Sequence, residues 1–204
     1  MSATARDAAS VGVRGCFRQN LGLIDMQPTL AEQISSELRL LVGHPLVSCG
    51  RGIDLVMIDF GTEREVLTRT GARIMRSPIH LHLQCRWRVC DGEGIVFGSD
   101  DLFHPGSETM DADAFDYAFT LSALDVLHGE WFARHTGPSL EVVAAEGDRF
   151  GGFRITLAGG MTLECLPCES RRDSELWRLF GHRADDSHFV VLASGVEPRD
   201  CDLK

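Results

Sequence analysis

Twelve consecutive positions, Ile79 to Cys90, alternate between apolar and polar side chains without a slip. Ile79, Leu81, Leu83, Cys85, Trp87 and Val89 fall on one side; His80, His82, Gln84, Arg86, Arg88 and Cys90 fall on the other. Successive side chains of a strand point to opposite faces, so this period predicts one long β-strand with a core face and an outward polar face. The turn pair Asp91-Gly92 and the apolar run Ile95–Gly98 complete a hairpin. Upstream, Ile53–Phe60 is apolar on nearly both sides, which predicts a central strand, whereas residues 62–78 are polar.

Two stretches carry the helical period. Thr29 and Glu32 form a Thr-x-x-Glu capping box ahead of Leu30, Ile34, Leu38 and Leu41, and Gly43 and Pro45 end the pattern, predicting a helix over 30–42. A second helix is predicted over 112–128, with Asp111 and Asp113 at its positive end and His128-Gly129 at its close. Its stripes, Phe115, Phe119, Ser122 and Val126 beside Tyr117, Leu121, Leu124 and Leu127, are broad enough to suggest burial against a sheet. Strand-like runs follow at 140–145, 152–158, 161–166 and 188–193, with Gly159-Gly160 as a tight turn between the middle pair.

The two halves rhyme. Gly52–Gly61 resembles Gly152–Gly160; each is followed by a strand reaching a cysteine, Cys85 or Cys165, and then by a Trp-Arg pair, Trp87-Arg88 or Trp177-Arg178. This suggests an internally duplicated helix plus β-meander, with pseudo-repeats at about 29–103 and 111–193. The expected fold class is α+β: mainly antiparallel sheet with two principal helices packed on it. Residues 21–195 form the expected single domain, between a loosely attached segment at 1–20 and a tail at 196–204.

The 204 residues carry a formal net charge of −10, which speaks against a nucleic-acid binder, since that function needs a basic footprint. It suits solubility and long-range attraction of a basic protein partner. No run is long and apolar enough for a membrane span, and Met1–Asn20 lacks the apolar centre of a secretory signal, so the cytoplasm is the expected compartment. The seven cysteines are an odd, scattered set, read as reduced and mostly structural.

Candidate chemistry centres on the polar row His80, His82, Gln84, Arg86 and Arg88. Its His-x-His spacing puts two imidazoles on one face about 7 Å apart at the backbone, but supplies no third metal ligand. Asp100 and Asp101 follow the return strand, with His104 nearby; adjacent carboxylates diverge if extended, and a loop or capping role suits them. Arginines here are suited to a carboxylate or phosphate, with a histidine to move a proton. Cys165-Leu-Pro-Cys168 lacks the strand-to-helix context of a redox motif and a partner motif for zinc. No phosphate-binding loop, His-Glu-x-x-His helix or nucleophile elbow occurs, and no catalytic residue, metal or cofactor is expected.

Leu81–Arg88, Gly98–Phe103, Gly151–Gly160, Glu175–Phe180 and His188–Val191 together resemble a family of uncharacterised proteins from actinobacteria and other GC-rich bacteria. That resemblance implies no activity, cofactor or catalytic residue. The texture of the chain, a small acidic α+β protein of short hairpins ending in Trp-Arg, is similar to immunity proteins of bacterial toxin systems. The expected function is a non-enzymatic protein-binding factor. The competing expectation is a ligand site or enzyme using a pocket near His80, His82, Arg86 and Asp100, and a homodimer through an exposed strand edge is a third.

Overall fold

A computed structural model of the protein describes residues 27–68, 70–135, 137–181 and 187–198. The expected segment 1–20 and residues 199–204 of the expected tail lie outside these. The chain is α+β with antiparallel sheets. Helix α1 (Leu30–Leu38) opens on the expected box: Thr29 Oγ1 accepts from the Glu32 amide, and Glu32 accepts from the Thr29 amide at 2.7 Å. A 3-10 turn at Arg39–Leu41 prolongs it, and Ile34, Leu38 and Leu41 are buried.

There follow β1 (Leu46–Gly52), β2 (Leu55–Phe60), β3 (Arg64–Leu67), β4 (Arg73–Arg76), β5 (Ile79–Leu83), β6 (Arg86–Cys90) and β7 (Ile95–Gly98). After α2 (Ala123–Arg134) come β8 (Val142–Gly147), β9 (Phe153–Leu157), β10 (Thr162–Leu166), β11 (Glu175–Phe180), β12 (Phe189–Leu192) and β13 (Gly195–Val196). One sheet runs β1-β2-β5-β11-β12-β13, a second β7-β6-β10-β9-β8, and β3-β4 is a separate hairpin. Each large sheet therefore combines strands from before and after α2.

The apolar faces of both sheets enter one core. Trp177 of β11 meets Phe153 of β9 edge to face at 5.1 Å, and its indole N–H donates to the Gly151 carbonyl at 2.7 Å. Trp87, Phe97 and Trp131 extend the core as a chain of edge-to-face rings. Such geometry contributes beyond the area buried. Among the described residues no helix is long and apolar enough to cross a membrane.

Three expectations are corrected. The segment 79–90 is two strands in different sheets, because the chain leaves the first ladder at Gln84 and Cys85 and enters the second at Arg86. Its apolar row stays inward throughout: Ile79, Leu81, Leu83, Trp87 and Val89 are all buried. A period of two fixes which side faces the core and is blind to which sheet the strand joins. The second helix begins at Ala123 rather than near 112, with 112–114 as an isolated 3-10 turn. Its start is set by a capping box in which Ser122 Oγ accepts from the Asp125 amide and Asp125 accepts from the Ser122 amide. The polar stretch 62–78 holds the β3-β4 hairpin, and β1 and β11 are strands that the pattern did not announce.

Candidate functional site

The sheet switch divides the polar row between two surfaces. His80 and His82 lie on the outer face of the six-stranded sheet, in register with Asp59 and Met57 of β2 and with Phe180 and Arg178 of β11. Arg88 lies on the outer face of the five-stranded sheet, in register with Glu164. There the buried Glu164 carboxylate joins Arg88 at 2.7 Å and Arg154 at 2.6 Å. Burial works to raise the Glu164 pKa, but these two guanidiniums outweigh it and hold the carboxyl below its usual range.

His80 is only 9% exposed and sits in a polar chain. Ser48 Oγ donates to Asp59 at 2.8 Å, His80 Nδ1–H donates to the other Asp59 oxygen at 2.6 Å, and Arg76 Nε–H donates to His80 Nε2 at 3.2 Å. Arginine can only donate, which assigns the Nε2 lone pair to Arg76 and the ring proton to Nδ1. Burial opposes ionisation of Asp59, yet the bonds from His80 and Ser48 prevail and keep its pKa depressed. Phe180 is packed among three histidines: stacked on His188 at 4.4 Å, edge-on to His82 at 4.7 Å and tilted against His80 at 5.1 Å. Burial, then Arg178, lowers the His82 pKa.

Gln84 and Arg86 line a cavity of about 330 Å³ beside the switch, together with Asp54, Cys85, Asp100 and Phe103. Arg86 and Asp100 form an exposed ion pair there. Asp101 accepts from the Gly98 amide at 2.8 Å and so caps the turn at Ser99–Phe103. His80 lines a different cavity and His82 lines neither, so these histidines and the Arg86–Asp100 pair do not share a pocket. Among the described residues no three His, Cys, Asp or Glu side chains gather in a metal-binding arrangement. The Cys165 thiol is buried 3.2 Å from that of Cys85, whereas Cys168 is exposed, so Cys165-x-x-Cys168 is not a matched pair.

A further surface lies away from the polar row of 80–88. Between Arg88 and Arg134 the sequence holds ten Asp and Glu residues and no arginine or lysine, a charge equal to the whole net −10. This segment also exposes Phe103, Tyr117, Leu121 and Phe119, the last 89% accessible. Phe103 and Tyr117 meet edge to face at 5.2 Å. Arg51 fastens the face by donating to the carbonyls of Tyr117, Thr120 and Ile53 and pairing with Asp125 at 2.8 Å. Beside them Ile53, 58% exposed, is the one described non-glycine residue at positive φ, 60°. A β-branched residue in that conformation is strained. The uneven distribution of charge was visible in the sequence; that the apolar residues within it are exposed was not. No protein-family model, curated protein or solved structure matches the chain.

Proposed function

We propose that this protein is a non-enzymatic binding factor, immunity- or adaptor-like in kind, whose acidic aromatic face receives a cationic protein. The observation that carries this reading is the coincidence on one segment of ten carboxylates, three of which (Asp100, Asp125 and Glu130) pair with arginines outside it, and exposed Phe103, Tyr117 and Phe119. Aromatic anchors supply binding energy when desolvated, and a net negative field speeds encounter with a basic surface. The strain at Ile53 fits this reading, because it persists while presenting an apolar side chain to solvent. The 330 Å³ cavity at the edge of the face, with Asp54 and Glu169 in its wall beside the Arg86–Asp100 pair, has room for a lysine or arginine side chain of the partner.

A photo-cross-linking amino acid at position 119, and for comparison at exposed Val143 of β8, tests the reading in extracts of the native cell. Position 119 should capture a protein of net positive charge that position 143 does not. The adduct should be lost in D111N/D113N/D116N and at about 0.5 M salt, where screening shortens to a few ångströms. Identical adducts from both positions, or an adduct indifferent to salt and to the triple substitution, would refute it.

A further inference from the structure

We propose that the cleft between the β3-β4 hairpin and the outer face of the six-stranded sheet binds the phosphate group of a small phosphate ester or of free phosphate. The cavity there measures about 390 Å³, and among the described residues its wall includes Arg64, Arg76, His80 and His188 but no carboxylate. That is an unusual enclosure in a chain with 30 acidic residues.

Arg64 and Arg76 are direct cross-strand partners in the hairpin, so their side chains leave the same face. Like charges directly opposite each other are unfavourable unless an anion lies between them. Among the described residues neither arginine has an ion pair, although Arg73 on the other face of the hairpin pairs with Glu65 at 2.5 Å. Arg76 is aimed without being neutralised: its Nε–H is taken by the neutral face of His80, which Asp59 and Ser48 hold in turn. Among the described residues neither terminal nitrogen of that guanidinium has a partner. The backbone is fitted closely around His80. A Cβ on Gly181, itself at φ 86°, would lie 2.7 Å from the Pro78 carbonyl oxygen and 3.0 Å from His80 Cδ2.

Two guanidinium forks and an imidazole offer more donors than the two oxygens of a carboxylate use, and they match a tetrahedral dianion. The stacked Phe180–His188 pair beside the cationic groups gives an organic ester a surface to lie against. The site is on a different surface from the acidic aromatic face, and stands or falls separately from it.

Titration of the full chain with inorganic phosphate and with phenyl phosphate, followed by calorimetry and by the His80 and His188 ring resonances, tests the proposal. Saturable binding of both probes is expected at low ionic strength, with both ring signals moving. R64Q/R76Q should weaken it about tenfold or more, as loss of charge-assisted bonds implies. Both arginines are exposed, so the double variant should keep the wild-type melting transition. R73Q should bind within about twofold of wild type, its charge being on the other face. Tighter binding of phenyl phosphate assigns the site to an ester, and equal binding assigns it to free phosphate. No saturable binding of either probe, or R73Q losing as much affinity as R64Q/R76Q, would overturn the proposal.

Discussion

Ile53 shows how little of a residue's role its type reveals. Within Ile53–Phe60 it reads as the first apolar residue of a central strand, yet the strand begins at Leu55 and Ile53 occupies the turn before it at φ 60°. That conformation costs an L-residue with a Cβ about 1–2 kcal/mol, and the exposed side chain recovers little by packing. Ile53→Gly should therefore raise stability by about 1 kcal/mol in urea denaturation, less the added freedom of glycine in the unfolded chain. A lower midpoint would show that Ile53 packs more than its exposure indicates. Asp101 was more legible: it accepts from the Gly98 amide in the expected capping role, because such bonds are local in sequence. His80 was not, since its partners Asp59, Arg76 and Phe180 come from three other strands.

At the scale of elements, the join between β1 and α2 rests on one carboxylate. Asp125 closes the cap of α2 on Ser122 and also receives both Nε and Nη2 of Arg51. The Arg51 guanidinium, against a smaller opposing effect of burial, holds the Asp125 carboxyl well below the usual range. A depressed carboxyl contributes stability that is full above its unfolded pKa and is lost as pH falls through the folded one. Asp125→Asn should thus cost about 2 kcal/mol near neutrality. The gap to wild type should narrow only as pH drops below about 4, where the unfolded carboxyl begins to protonate. Urea midpoints across pH 2–7 check both, and a gap that widens in acid would contradict the clamp. The start of this helix was legible too, in Ser122 and Asp125, but the apolar run at 115–121 masked it. A helical stripe and an exposed aromatic cluster have the same composition.

Across the whole molecule, neither half can complete a sheet alone. The residues before α2 give β1, β2 and β5 to one sheet and β6 and β7 to the other; those after it give β8–β10 to the second and β11–β13 to the first. Cys85, where the chain first changes sheet, and Cys165, near the end of β10 before the second change, meet at 3.2 Å. Fragments 1–107 and 108–204 should each be largely unfolded when separate and recover native near-ultraviolet dichroism when mixed. A fragment that folded cooperatively by itself would contradict the interlocking. The sequence by itself determined the α+β class, the antiparallel hairpins, the cap of α1 and the inward row from Ile79 to Val89, because each follows from local periodicity or a bond across a few residues. Only the tertiary structure decided that this row spans two sheets, that His80 and Arg86 face different cavities, and that Arg64, Arg76 and His188 converge. Those outcomes depend on pairing between strands up to a hundred residues apart, and a period of two records the side a residue faces without recording its neighbour.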